Sequence, residues 1–458
     1  MQNILHIFLQ WPFRSSPSSA PPQLSVVQLD AFTDGAAGLS SYASNPDKAG
    51  PSLAPHIAWA KSKLQAPSVN APPASVPLYL KATAGLRMLP PTQQSLILAS
   101  VRQFLSQSGF LFKDSNARVI SGEEEGAFGW VAVNYLKNTL TGEPGQTFGA
   151  LDMGGASTQI TFAPQDEILS SFFPMYLNGR FFPLYTHSYL EFGLNEMVRK
   201  INEAASTGPI VAGFVPNPCY NRGTLVNFTT ASGSVVHFSG SSSPDACNAL
   251  IQPLLLTDSA AFPCLYPTQC AIEGTYQPRL GTSKFVGFSN FAAVCADTLG
   301  LPVNAPISLL RSTMTSVCAK TMDELRIEYP NAGKYLFVQC ISGSYLVNLL
   351  STAYHFANDS TLISFQSSSE SKVDYGWALG AILFEQALLP WKIDSTQWTA
   401  AAIGLGIAGI VLFLLVVVTL LYFRSRLLDS SLHAASAGMI ESTHSANYRS
   451  LDSPRAIV

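Results

Sequence analysis

The chain holds 458 residues, 47% of them hydrophobic and 12% charged, which is enough apolar material for more than one core and excludes an intrinsically disordered protein. A formal net charge of −3 with no long basic run excludes the electrostatic footprint of a nucleic-acid binder and leaves nucleotides as small ligands only.

Met1 to Pro12 carries an apolar run too short for a membrane helix and lacks the basic lead-in of a signal peptide. Residues 14–75 are rich in Pro, Ser and Ala and predict irregular structure, apart from a helix near His56 to Leu64. A short strand (Leu78 to Leu80) then enters the turn KATAGLR (Lys81 to Arg87), and Thr92 to Gln107 shows helical periodicity. A second strand (Arg118 to Ile120) meets the turn GEEEG (Gly122 to Gly126), which opens a helix running to Asn138. A third (Phe148 to Asp152) breaks at Gly154 and Gly155 and resumes as Thr158 to Phe162. From Pro216 to Cys340 short strands alternate with loops and helices, Tyr335 to Phe356 reads as helix, and Lys372 to Gly380 turns into another short helix.

Thr399 to Phe423 is uncharged, mostly apolar, and long enough to cross the roughly 30 Å hydrocarbon core as one helix. Arg424 and Arg426 follow it directly, against Lys392 alone before it, so residues 424–458 are expected in the cytosol and the residues before 399 outside the cell or in a lumen. All seven cysteines lie in the second half without zinc-type spacing, which favours disulfides, and sequons at Asn227 and Asn358 point to the same oxidising, glycosylating compartment.

The stretch DMGGASTQ (Asp152 to Gln159) places a carboxylate at a strand end, two glycines that let backbone N–H groups approach an anion, and three polar side chains. No Lys-Ser/Thr follows the glycines, so the pattern is a phosphate hairpin of the actin or hexokinase type rather than a Walker loop, or else a polar turn. Among Glu123, Glu124 and Glu125 one carboxylate is a candidate general base of raised pKa, the alternative being a solvated acidic helix start. Thr83 and Arg87 either touch phosphate or close a turn and form a salt bridge. Tyr345 and Trp377 either stack a base or fill the core. His187 reads as structural.

Together KATAGLR (from Lys81), ISGEEEGAFGW (from Ile120), ALDMGGASTQ (from Ala150) and DYGWALG (from Asp374) resemble four of the five signature blocks of the ecto-apyrases, the nucleoside triphosphate diphosphohydrolases, in order and spacing. The resemblance spans about Leu9 to Leu389. It implies an α/β, two-lobed fold of the actin, Hsp70 and sugar-kinase (ribonuclease H-like) type, plus the C-terminal transmembrane helix. Residues 1–121 with 368–395 would form the first lobe, 122–367 the second, disulfide-bearing lobe, 399–423 the membrane helix and 424–458 the tail. It implies nucleoside tri- and diphosphates of the ATP, ADP, UTP and UDP class as substrates, Ca²⁺ or Mg²⁺ as cofactor, and water as nucleophile. By position, Glu125 is the general base, Ser157 and Gln159 hold the water, and Asp152 binds the metal through water. Thr83, Gly154, Gly155 and Ala156 meet the phosphates, and Tyr345 stacks on the base. The implied disulfides are Cys219–Cys247, Cys264–Cys270 and Cys318–Cys340, with Cys295 left over. The expected location is a membrane, the plasma membrane before Golgi or lysosome, with a homo-oligomer left open.

Two departures qualify this. The first block, an Asp-Ala-Gly-Ser-Ser loop, is absent ahead of Trp11-Pro12, so the chain is expected to start at or after that phosphate loop, an omission expected to lower the rate roughly a thousandfold. Ala381 stands where many relatives have a tyrosine beside the base. Two rivals follow: a catalytically impaired nucleotide-binding form of the same fold, and a phosphohydrolase of polyphosphate or guanosine pentaphosphate.

Overall fold

The computed structural model describes residues 5–10, 26–32, 38–66, 69–177, 179–256, 258–266, 268–388 and 412–421. Its first elements are an antiparallel pair, β1 (Leu5–Gln10) and β2 (Val26–Phe32). The second corrects the expectation of irregular structure there, because Val26, Val27, Leu29 and Phe32 supply strand-forming residues inside a stretch whose average composition is that of a loop. Trp11 and Pro12 lie outside the described residues.

Helix α1 (Ala54–Leu64), strand β3 (Leu80–Ala82), α2 (Ala84–Arg87), α3 (Pro91–Ser106) and β4 (Ala117–Val119) follow, with β3 and β4 paired in parallel. Ile97, Leu98, Val101 and Leu105 repeat at helical spacing along α3 and are its buried residues. Three of them join Leu53, Ile57, Ala82, Leu86 and Ala117 in one core.

The main sheet is built next. Helix α4 (Gly122–Leu136) precedes β5 (Gly149–Met153), β6 (Ser157–Phe162), β7 (Phe172–Leu177) and β8 (Arg180–Leu190). Then come α5 (Leu194–Ala205), the small sheet of β9 (Val215–Asn217), β10 (Leu225–Thr229) and β11 (Val235–Gly240), and α6 (Pro244–Ile251). Strand β12 (Phe285–Gly287), α7 (Asn290–Ala292), α8 (Ile307–Ala319), α9 (Met322–Glu328), α10 (Gln339–Asn348), β13 (Ile363–Phe365) and α11 (Trp377–Leu388) complete the unit. The six strands run in the order β13-β12-β5-β6-β8-β7, the first three parallel and the rest antiparallel.

Strand alternation sorts this sheet's side chains into two cores. Leu151, Ile160, Tyr185 and Phe285 pack with Met197, Leu310 and Leu346 from α5, α8 and α10. Ala150, Leu184, Val286 and Phe288 pack with Trp130 and Val133 of α4 and Leu379 and Leu383 of α11. Helix α11, expected with the first lobe, thus lies on α4 and shares the core of the six-stranded sheet, while the Lys81–Glu385 ion pair also ties it to β3. The described residues up to Leu388 belong to one compact unit, and Leu412–Leu421 to a second.

The structure contains disulfides Cys219–Cys247, Cys264–Cys270 and Cys318–Cys340, with Cys295 free and buried. The third spans 22 residues and joins the end of α8 to the start of α10. Closing a loop of that length restricts the unfolded chain by about 3 kcal/mol, so replacing Cys318 and Cys340 together by Ala is expected to lower unfolding free energy by about that amount in a denaturant titration. Asn227 and Asn358 are both exposed.

Of the expected membrane span 399–423, Leu412–Leu421 is described and is an apolar helix whose large side chains are exposed; the remainder and the tail lie outside the described residues. Among the described residues one helix, Tyr335–Ala353, is apolar and long enough to cross a membrane. It is a mostly buried core helix of the first unit, which accounts for its apolar character without a membrane.

Candidate active site

Helix α4 is started by a reciprocal cap. Ser121 Oγ accepts from the Glu124 N–H (3.1 Å), and the Glu124 carboxylate accepts from the Ser121 N–H (2.9 Å). Arg118 donates to both Glu124 oxygens, at 2.7 and 2.6 Å. Burial raises the Glu124 pKa, but these bonds outweigh it and hold the group below the ordinary carboxylate range. Glu124 is therefore a structural carboxylate.

Glu125, one residue on, shares the inward stripe of α4 with Gly122, Gly126 and Gly129 at helical spacing. Gly126 is what lets the helix settle onto the sheet: a Cβ there would sit 2.5 Å from Thr161 Oγ1 and 2.7 Å from Thr186 Oγ1. Glu125 is consequently only 5% exposed. Burial pushes its pKa up to about 7, Arg87 opposing and the Asp152 charge adding to the rise.

Strand pairing supplies the facing residues. Asp152 of β5 is opposite Gln159 of β6, which is opposite Ser188 of β8, so the three form a row across the sheet. Asp152 is 4% exposed, and burial raises its pKa to about 6 against bonds from Ser289 and the Met153 N–H. Gln159 Nε2 donates to Ser157 Oγ (2.7 Å), Ser188 Oγ (2.9 Å) and Glu125 Oε2 (3.2 Å), while its Oε1 is buried without a partner. Arg87 donates to Glu125 Oε2 (2.9 Å), Ser157 Oγ (3.3 Å) and the Ile120 carbonyl (3.1 Å). The salt-bridge reading of Arg87 is thus the one its side chain adopts.

The Gly154–Gly155 turn joins β5 to β6 with its carbonyls held from outside. Leu194 N–H donates to Gly154 O (2.9 Å), and Asn195 and Glu196 N–H to Gly155 O (2.9 and 3.1 Å), at the N-terminus of α5. The N–H groups of Gly155 and Ala156 have no protein acceptor among the described residues, which is the arrangement of an anion nest. Thr83 occupies the N-cap position of α2, its hydroxyl making no capping bond.

Tyr345, expected to stack on the base, is 0% exposed in the middle of α10 in this structure, its hydroxyl donating to the Phe192 carbonyl. Trp377 packs with Ile120, Phe128 and Ala381. Ser188, Asn195, Ser289 and Asn290 belong to the site region and were not picked out from sequence. Only Ser188 carried a signal, the polar face of an alternating strand, and it becomes informative once β8 is known to pair with β6.

A family model described as GDA1/CD39 (nucleoside phosphatase) matches residues 4–397. Ectonucleoside triphosphate diphosphohydrolase 8 of Rattus norvegicus is 34% identical over 417 residues, covering 84% of this chain and 81% of that protein. Ectonucleoside triphosphate diphosphohydrolase 2 of Homo sapiens is 32% identical, covering 77% and 74%, and probable apyrase 5 of Arabidopsis thaliana 30%, covering 76% and 73%. A crystal structure of nucleoside triphosphate hydrolases from Neospora caninum shares the fold, with a TM-score of 0.59 at 18% identity over 79% of this chain and 86% of that one. The chain belongs to the GDA1/CD39 (nucleoside phosphatase) family and is a hydrolase of nucleoside phosphates.

Proposed function

We propose that the protein is a membrane-anchored apyrase that removes the terminal phosphate of nucleoside tri- and diphosphates in turn, leaving the monophosphate, on the extracellular or lumenal side. The observation that carries this is the buried Glu125, raised to about 7 and hydrogen-bonded through Gln159 to Ser157. A carboxylate with a pKa near neutrality is suited to take a proton at working pH. Ser157 Oγ and the unpartnered Gln159 Oε1 orient a water. As its oxygen bonds to the terminal phosphorus, its proton passes to Glu125, and the bridging P–O bond breaks with its electron pair leaving on the shorter nucleotide. The N–H groups of Gly155 and Ala156 and the Thr83 hydroxyl receive the phosphoryl oxygens.

The residues present fit a hard divalent cation. Asp152 and Glu125 are buried carboxylates, the Asp152 charge raising the proton affinity of Glu125, and Ser157 Oγ and the unpartnered Gln159 Oε1 add hard oxygen atoms nearby. No three His, Cys, Asp or Glu side chains converge among the described residues, so Asp152 would hold Ca²⁺ or Mg²⁺ through water, with nucleotide phosphate completing the shell. When bound, the cation neutralises charge developing on the phosphoryl oxygens. Residues 1–121 with 368–395, and 122–367, are the two lobes of this reading, with α11 resting on α4 where they meet, and 399–423 is its anchor in the lipid bilayer.

The test is phosphate release from ATP and ADP by the full chain, with Ca²⁺, with Mg²⁺ and with chelator. Cation-dependent release from both nucleotides is expected, and release that persists in chelator overturns the metal-dependent mechanism. Ser157→Ala is expected to lower kcat by about a hundredfold with KM little changed, since it orients the water rather than the nucleotide.

A further inference from the structure

The segment leaving β12 runs alongside the phosphate hairpin and engages it residue by residue. Phe288 N–H donates to the Leu151 carbonyl (3.1 Å). The Ser289 side chain faces the Asp152 carboxylate and favours its charged form. Asn290 Nδ2 donates to the Met153 carbonyl (2.8 Å) and to the Gly154 carbonyl (3.3 Å). Three consecutive residues of one segment thus hold four consecutive residues of the other.

Ser289 does this from an unfavourable backbone, with φ 52° and ψ −128°, a region suited to glycine. A glycine there would relieve that conformation but would have no hydroxyl. Asn290 acts on the turn itself. With the Met153 and Gly154 carbonyls drawn toward its amide, and the Gly155 carbonyl drawn to the N-terminus of α5, the peptides of the turn are committed to presenting N–H rather than C=O toward the cleft. Without the amide, the Met153 and Gly154 carbonyls each lose a donor, the Gly154 carbonyl keeping only the Leu194 N–H, so the turn is held less firmly against rotating a carbonyl toward an incoming phosphate, which it would repel.

We propose that Ser289 and Asn290 are positioning residues of the hydrolase: Ser289 orients the Asp152 carboxylate, and Asn290 holds the Gly154–Gly155 turn in its anion-receiving form. The inference rests on the phosphohydrolase reading above. Ser289 acts through Asp152 on the cation, and Asn290 acts through the turn on the nucleotide phosphates, so their substitutions separate.

In the full chain, Ser289→Gly is expected to raise the cation concentration for half-maximal rate about tenfold, the size typical for losing a group behind a metal ligand. Its melting temperature without cation is expected to be no lower than the parent's, and the rise in melting temperature on adding Ca²⁺ smaller. A residue serving only the fold would move stability and activity together, whereas here they part. Asn290→Ala is expected to raise the KM for ATP about tenfold at saturating cation with kcat changed less, and Asn290→Asp, which sets a carboxylate against two carbonyls, to raise it further. Parent-like cation dependence in Ser289→Gly with parent-like KM in Asn290→Ala overturns the proposal and leaves the phosphohydrolase reading standing. A parent chain with no cation-dependent turnover overturns both.

Discussion

Glu125→Gln is expected to lower kcat for nucleoside triphosphate hydrolysis about a thousandfold, the middle of the range for removing a positioned general base. The replacement keeps the shape of the side chain and its contacts with Arg87 and Gln159 in view, so what is lost is the acceptor for the water's proton. Glu124→Gln, one position away, is the matched control. Glu124 is engaged by Ser121 and Arg118 at the rim of α4 and faces away from Gln159, so its change should leave kcat within a few-fold of the parent.

The pH dependence supplies an independent arm. Parent kcat/KM should rise as pH climbs through about 7, where Glu125 loses its proton, and that limb should vanish in Glu125→Gln. Stability should run the other way. The folded-state pKa of Glu125 lies above its ordinary value of 4.5, so the folded protein holds the proton more tightly than the unfolded chain. The stability attached to that proton is fully present below about 4.5, declines between 4.5 and 7, and is gone above 7. Asp152, raised from 3.8 to about 6, adds a parallel decline over its own window. Glu125→Gln removes the first of these, so its melting temperature should gain on the parent's as pH rises from 4.5 to 7, by up to the equivalent of about 3 kcal/mol before the lost Arg87 ion pair is set against it. A stability difference independent of pH would show that Glu125 titrates normally and would remove the physical basis for its role.

Gly380→Ala is expected to be the most destabilising single substitution in the fold. A Cβ at Gly380 would lie 1.7 Å from the Phe128 carbonyl oxygen and 2.6 Å from its carbon, both backbone atoms of α4. No rotamer change relieves this, so α11 has to move off α4. Trp377, Ala381 and Phe384 then part from Ile120 and Phe128, and Leu379 and Leu383 from the core of the main sheet. Overpacking of this kind costs about 3 kcal/mol or more, which exceeds the gain of about 1 kcal/mol that alanine brings to a helix. Because α4 carries Glu125, turnover should fall with stability. Gly376→Ala, whose added Cβ meets nothing within 4 Å, should change the unfolding free energy by less than about 0.5 kcal/mol. Equal stability of the two variants would mean that α4 and α11 do not approach as closely as the structure shows.

The helices and strands around the site were largely legible because their signals are local. Ile97, Leu98, Val101 and Leu105 mark one face of α3, and the GEEEG turn from Gly122 marks the start of α4. Where local composition misleads, as at Val26–Phe32, a strand was missed because the surrounding Pro and Ser residues set the average. The aromatic position was ambiguous in the sequence for a different reason. Tyr345 stands at helical spacing in an apolar helix, and periodicity gives the same pattern whether a ring lines a cleft or the core; only the packing of α10 under the sheet places it in the core.

What the sequence by itself determined was the content of the site: a run of three glutamates at a helix start, an aspartate before a double glycine, and Ser157 and Gln159 on one face of the returning strand. Tertiary structure decided the roles within that content. Capping and Arg118 take Glu124, while the glycine at 126 brings Glu125 down onto β6, beside Arg87, which comes from 38 residues earlier. It likewise brought Ser188, Ser289 and Asn290 to the Asp152 row from strands and a turn distant in the chain. The physical reason is that proton affinity and orientation depend on burial and on partners within a few ångströms, and those are set by strand pairing and helix approach, which no local pattern of residues encodes.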